Sequence, residues 1–151
     1  MAVTASCFET SGPEDGGSGP RGRVRLTPVD EGFIARHVAR RAERVYTACD
    51  CVLDITAAFF NVPSRELRRP GRCADDISRV RQIAMYAAHV VLRFSMAEVG
   101  KGFGRDRTTV MHACHTVEDM RDDAEFDAML MRIERVIAAA FKGRDGFPAE
   151  D

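Results

Sequence analysis

The sequence lacks a long apolar run, a stretch of alternating apolar and polar residues, and a phosphate-binding loop. A transmembrane helix needs about 20 apolar residues in succession, and no run in the 151 residues approaches that length. Half-buried strands alternate with a period of two, so the missing alternation excludes a sheet-based fold. The pattern G-x-x-x-x-G-K-S/T is also absent, which excludes an ATPase module of the P-loop class.

The cysteines argue against a disulfide framework and against a metal site. They number five and are scattered, as is typical of reduced intracellular thiols. His112 and His115 share a helix face, but Cys114 points away from them, and the spacing matches no structural zinc pattern. No Ser/His/Asp or Cys/His arrangement suggests catalysis, and the N-terminus lacks a secretion signal. We therefore expect a cytoplasmic protein that is not an enzyme and that has no metal, no cofactor and no membrane segment.

Charge is unevenly distributed along a chain whose net charge is only -1. Residues 61–110 carry 10 basic and 5 acidic residues, whereas residues 111–151 carry 5 basic and 10 acidic residues. A basic patch on a nearly neutral chain is typical of a phosphate-binding face. The acidic third is interpreted most simply as a solvated face, and alternatively as a protein-contact surface.

Composition and periodicity divide the chain into a tail, a helical domain and a second tail. Residues 1–28 are rich in Gly, Ser and Pro and are predicted to be disordered, and residues 143–151 to be frayed. Between them, residues 29–142 form an all-α domain of five or six helices. The predicted helices run from Asp30 to about Asn61, over a short turn after Ser64, from Ile77 to about Leu92, from Ser95, from Asp106, and from Ala124 to Phe141.

Two apolar stripes define the faces that we expect to be buried. The first helix carries Val38, Ala42, Val45, Cys49, Val52, Thr56 and Phe59. This stripe is predicted to pack on the chain's own later helices, with self-association as the alternative. The last helix carries Phe126, Leu130, Ile133, Ile137 and Ala140.

A helix-turn-helix is predicted at residues 95–117. Ser95 and Glu98 form a capping-box pattern that starts a short helix. The glycine-containing stretch 100–104 is predicted to be the turn. Asp106 then follows as the N-cap of a second helix, where its side chain is expected to accept from the amides of Thr108 or Thr109.

The second helix of a helix-turn-helix presents its N-terminal residues to base edges in the major groove. Arginine can donate two hydrogen bonds to guanine, and threonine offers a hydroxyl and a methyl group. Arg107, Thr108 and Thr109 are therefore predicted to read bases. Asp106 has two interpretations, as an acceptor for a cytosine amine or as a helix cap.

The segments SMAEVGKGFGRDRTTVMHA (95–113) and RVRQIAMYAA (79–88) together resemble the C-terminal DNA-binding domain of the bacterial replication initiator DnaA. The resemblance covers about residues 45–141. It implies a TrpR-like helical bundle that binds double-stranded DNA, with a recognition helix that reads a short asymmetric box and a basic loop that enters the adjacent minor groove.

The resemblance also implies roles for individual residues. The matches to the major-groove reader are Arg105, Asp106, Thr108 and Thr109, with His112 as a nearby contact. The matches to backbone and base contacts on the preceding helix are Arg81 and Gln82, and Arg72 best matches the minor-groove arginine. Lys101 is predicted to hold phosphate. Arg79 is the last of the residues that are predicted to bind DNA.

Three departures from the family pattern affect these expectations. Arg107 stands where the family usually has histidine, which predicts a different base preference at that position. The turn has one glycine fewer, which is expected to rotate the recognition helix. Asp75 and Asp76 interrupt the basic loop and should weaken phosphate attraction there.

Two functional hypotheses follow. The first is a DNA-binding protein of the nucleoid that recognises DnaA-box-like sites and regulates replication initiation or transcription. The second is an adaptor that binds the replication initiator or its regulators and binds DNA only weakly. The sequence leaves the oligomeric state open.

Overall fold

The computed structural model describes residues 28–71 and 74–144. Six helices follow one another within these ranges, and no strand occurs there. The all-α fold class is confirmed. The helices are α1 (Pro28–Phe59), α2 (Ser64–Arg68), α3 (Asp75–Val90), α4 (Met96–Phe103), α5 (Arg107–Met120) and α6 (Ala124–Phe141). The predicted tails lie outside the described residues except for Pro28, Gly143 and Arg144, and so does the predicted minor-groove residue Arg72.

The apolar stripe of α1 is buried only in its C-terminal half. Val45, Cys49, Val52 and Thr56 lie in the core, and the Thr56 hydroxyl donates to the carbonyl of Val52 at 2.7 Å. By contrast, every residue from 31 to 44 is exposed. The stripe prediction was therefore wrong for Val38, Ala42 and Phe59, which are exposed. Among the described residues, the other helices do not cover the N-terminal half of α1 enough to bury it.

The centre of the bundle is α3, which packs between α1 and α5. Residues 83–88 of α3 are all buried, so this helix is apolar nearly all round rather than along one stripe. The α6 stripe is buried at Leu130, Ile133 and Ile137, as predicted. Ala140 is instead exposed and its neighbour Phe141 is buried, which corrects the register at the end of that stripe.

A smaller apolar cluster attaches the short helix α2 to the bundle. Leu67 of α2 is 2% exposed and packs with Leu53 and Ala57 of α1 and with Val80 of α3. Burying a leucine side chain contributes about 1.5–3 kcal/mol. This contact determines where the chain leaves α2 and therefore where the basic loop begins.

The α5–α6 turn is tied to α3 by Arg121. Its guanidinium donates to Asp127 at 2.6 Å, to the Tyr86 hydroxyl at 2.9 Å and to Glu134 at 3.0 Å. These bonds link the end of α5 to both neighbouring helices, and so they help to orient α5. None of the helices in the described part of the chain combines the length and apolarity that crossing a bilayer requires.

Candidate nucleic-acid interface

The helix-turn-helix begins with the predicted capping box. The amide of Glu98 donates to Ser95 Oγ at 3.2 Å, and the Glu98 carboxylate accepts from the amide of Ser95 at 2.9 Å. Glu98 also accepts from Arg41 Nε of α1 at 2.7 Å. The Arg41 hydrogen bond, together with the helix cap, lowers the pKa of Glu98. The first helix of the motif is thus anchored both at its own N-terminus and to α1.

The glycines of α4 have a different role from the predicted one. Gly100 and Gly102 lie inside the helix, and only Gly104, with φ of 63°, has the left-handed conformation of a helix C-cap. A Cβ on Gly100 would lie 2.7 Å from the carbonyl oxygen of Arg105, and one on Gly102 would lie 2.5 Å from Cys49 Sγ. These glycines therefore allow α4 to approach the following turn and α1 closely.

The recognition helix α5 exposes its N-terminal residues and buries one face. Arg107, Thr108 and Thr109 are exposed. The buried face consists, as the periodicity predicts, of Val110, Ala113, Cys114 and Val117. Because these four residues pack into the core, the rotation of α5 about its axis is determined, and the two threonines and Arg107 remain on the outside.

Asp106 occupies the N-cap position of α5, but its side chain makes no capping hydrogen bond. The expected bond to the amides of Thr108 or Thr109 was therefore wrong. The Asp106 side chain is exposed. Amides in the first turn of a helix lack intrahelical acceptors, so without a side-chain cap they are left for solvent or for an anionic ligand.

A cleft of about 400 Å³ joins the α2–α3 loop, α3 and α5. Five of the predicted site residues line it, namely Arg81, Gln82, Arg105, Thr109 and His112. Gly71, Asp75, Ser78 and Met85 complete the lining. The structure thus brings together residues that are up to 41 positions apart, and it also places the Asp75 carboxylate among them.

Arg81 and Arg105 both bind backbone carbonyls within the protein. Arg81 is 6% exposed, and its guanidinium donates to the carbonyl oxygens of Glu66, Leu67 and Arg69. Arg105 is half-buried and donates from Nη2 to the same Arg69 oxygen at 2.9 Å. Sequence reasoning placed both arginines among the DNA contacts and did not anticipate these internal bonds.

The remaining predicted residues lie on different parts of the surface. Lys101 is exposed on α4, and His112, which also lines the cleft, is exposed on the recognition helix itself. Arg79 is also exposed, but it borders a separate groove with Asp76, Val80 and Phe126. Within the described ranges, no three His, Cys, Asp or Glu side chains form a group that could hold a metal ion.

Several arginines of the basic segment are paired with nearby carboxylates. Arg68 donates to Asp50 at 2.6 Å and to Asp54 at 2.9 Å, and its pKa is raised chiefly by the hydrogen bond to Asp50. Arg69 pairs with Glu66 at 3.1 Å. The positive charge near the cleft is therefore smaller than the sequence count of basic residues indicates.

Fold and site together define a helix-turn-helix DNA-binding domain, and comparison with known proteins shows which family it resembles. Residues 49–117 match the family model for the bacterial DnaA protein helix-turn-helix. The chain is 34% identical over 81 residues to the chromosomal replication initiator protein DnaA of Mycobacteroides abscessus. That alignment covers 54% of this chain and 16% of the relative. Residues 49–117 of this chain are thus similar to the helix-turn-helix of the bacterial DnaA family.

Two solved structures share the fold. A crystal structure of a DNA replication initiation factor has a TM-score of 0.63 at 23% identity, covering 74% of this chain and 37% of that chain. A replication initiator DnaA bound to AMPPCP and single-stranded DNA has a TM-score of 0.59 at 23% identity, covering 74% of this chain and 36% of that chain. The similarity therefore concerns one part of these longer proteins.

Proposed function

We propose that this chain binds double-stranded DNA sequence-specifically at DnaA-box-like sites and thereby regulates replication initiation or transcription at them. The observation that carries the proposal is the exposed start of α5, where Arg107, Thr108 and Thr109 face outward from a helix whose other face is buried. These side chains have the donors, acceptors and methyl groups that read base edges in the major groove. Such a protein acts in the cytoplasm, on the nucleoid, and without catalysis.

The proposal divides the site residues into two roles. Arg107 and the two threonines read bases, while Lys101 binds phosphate at the end of α4. His112 and Gln82 lie at the cleft and contact the DNA beside the recognition helix. Residues 29–142 form the DNA-binding unit, and Arg72, which lies outside the described residues, binds in the minor groove.

Two alanine variants test this division. Arg107→Ala should cost about 1–3 kcal/mol on the preferred site and relax preference at one base, whereas Lys101→Ala should weaken binding to all sequences alike. Lys142→Ala, exposed just after α6, is the control and should leave binding unchanged. Equal losses on box and random DNA for Arg107→Ala and Lys101→Ala would contradict the assigned roles.

Selection of bound duplexes from a random pool tests specificity itself. The selection is repeated at two salt concentrations, because phosphate contacts weaken with salt whereas base preference persists. Enrichment of one asymmetric box at both concentrations supports the proposal. If the bound duplexes stay random in sequence and binding is lost at the higher salt concentration, the protein binds DNA through charge alone.

The adaptor function is the second candidate because one end of the molecule is acidic. Glu118, Asp119, Asp122, Asp123 and Glu125 are all exposed around the α5–α6 turn. Such a surface repels DNA and suits a basic protein partner. Co-purification with the replication initiator after nuclease treatment supports the adaptor function. If the initiator is lost when the nucleic acid is digested, the result supports DNA binding instead.

A further inference from the structure

Arg81 lies at the floor of the cleft and binds the end of α2. Its Nε donates to the Leu67 carbonyl at 2.8 Å, and its Nη2 donates to the carbonyls of Glu66 and Arg69, each at 3.2 Å. The last carbonyls of a helix have no intrahelical donor. A cation at this end therefore satisfies them and interacts favourably with the helix dipole.

The Arg69 carbonyl connects this buried arginine to the recognition helix. The chain leaves the helical conformation at Arg69, where ψ is 132°, and continues through Pro70 and Gly71. The same Arg69 oxygen accepts from Arg105 at 2.9 Å, and Arg105 lies in the turn before α5. The start of the basic loop is thus bonded to α3 on one side and to the turn before α5 on the other.

We propose that Arg81 is a positioning residue for DNA binding and not a phosphate ligand. It holds residues 69–71 at a set distance from the start of α5, so that the loop and the recognition helix meet the DNA together. This inference rests on the proposed function. Only 6% of Arg81 is exposed, and its Nε and Nη2 donors already serve three carbonyls.

The geometry requires arginine at this position. A planar guanidinium directs Nε and Nη2 toward different acceptors at the same time, whereas a lysine ammonium is a single charged point on a flexible stem. Arg81→Lys therefore keeps the charge and removes the simultaneous bonds. Arg132→Lys is the matched control, because Arg132 is exposed on α6, lies outside the cleft and is not among the predicted DNA contacts.

Hydrogen exchange of the 151-residue protein without DNA tests the positioning directly. In Arg81→Lys, the amides of residues 66–69 and of Gly71 should exchange faster than in the wild type, while those of α5 and α6 remain protected. Arg132→Lys should match the wild type. Unchanged exchange at residues 66–69 and Gly71 in Arg81→Lys would overturn the inference, whether or not the protein binds DNA.

DNA binding of the same variants separates positioning from phosphate contact. Arg81→Lys should bind the selected box roughly tenfold more weakly, the factor expected for one charge-assisted hydrogen bond. Hydroxyl-radical footprints should lose protection next to the loop and keep it at the recognition helix. Wild-type affinity in Arg81→Lys would overturn the inference, because a point charge would then suffice. If neither the variants nor the wild type select a box, the proposed function fails and the exchange result still decides the role of Arg81.

Should Arg81→Lys fail to fold, the Arg105→Lys variant provides the second measurement. Arg105 binds the same carbonyl from the partly exposed side of the cleft. Faster exchange at Arg69 and Gly71 in Arg105→Lys supports a loop held from two sides. Exchange identical to the wild type would show that the Arg69 carbonyl does not couple the loop to α5.

Discussion

Gly100→Ala tests how closely α4 must approach the turn that precedes the recognition helix. The added Cβ would lie 2.7 Å from the Arg105 carbonyl oxygen, whereas ordinary contact begins at 3.4 Å, so the backbone must move by about 0.7 Å. Overpacking of this kind costs about 1–3 kcal/mol. Replacing glycine by alanine within a helix returns somewhat less than about 1 kcal/mol. We therefore expect a net destabilisation of about 1–2 kcal/mol.

The displaced residues include Arg105, so the substitution should also weaken DNA binding. A loss of about 1.4 kcal/mol corresponds to a tenfold increase in Kd, and we expect an effect of about this size because the turn orients the start of α5. Stability is measured by urea denaturation, and affinity by titration with box DNA at a temperature where the variant is fully folded.

Gly102→Ala is the matched control. Its Cβ would meet the Cys49 side chain on α1, at 2.5 Å from Sγ, and not the turn. We expect comparable destabilisation with a smaller loss of affinity. The reasoning is refuted if Gly100→Ala is as stable as the wild type, or if Gly100→Ala and Gly102→Ala lose the same affinity.

Three further predictions concern stability and thiol reactivity. Arg121→Met should lower the free energy of unfolding by about 2 kcal/mol, because it leaves the Glu134 carboxylate without its hydrogen bond; a loss below about 0.5 kcal/mol would contradict this. Glu98→Gln keeps the capping-box pattern but removes the negative charge of the Glu98 carboxylate, whose ionised form the folded structure stabilises, as its lowered pKa indicates. Above the pKa of an unfolded glutamate, about 4.3, the wild type should be more stable than Glu98→Gln by a constant amount. This difference in stability should vanish as the pH falls through the lowered pKa of Glu98 in the folded protein, and a difference that persists at pH ~2 would contradict the prediction. Burial raises the pKa of Cys49 to about 12 and that of Cys114 to about 11, so iodoacetamide at pH ~8 should label these two residues only after denaturation, as checked by peptide mapping.

Local patterns predicted the helices and the helix-turn-helix well. The capping box of Ser95 and Glu98 joins residues three apart, and the buried face of α5 follows from helical periodicity alone. The bounds of α6, Ala124–Phe141, agree with the prediction for the same reason. The base-reading roles of Arg107 and the threonines remain predictions.

Other expectations failed where the outcome depends on distant residues. Gly100 was assigned to a turn because glycine is common there, but its role is to admit the Arg105 carbonyl. Val38 has the right spacing for a core stripe but is 62% exposed, because none of the helices in the described part of the chain covers it. Periodicity identifies the face of a helix that suits burial, and only the lengths and positions of the other helices decide whether it is covered.

The sequence by itself determined the helical class, the position of the recognition helix and the face that α5 buries, because these depend on interactions within a few residues along the chain. Only the tertiary structure decided which arginines are available to DNA. Arg81 and Arg107 look alike in sequence, yet one is enclosed by carbonyls of α2 and the other faces outward. That difference arises because α2, α3 and α5 meet at the cleft, and the burial of a charged group is a property of everything packed around it.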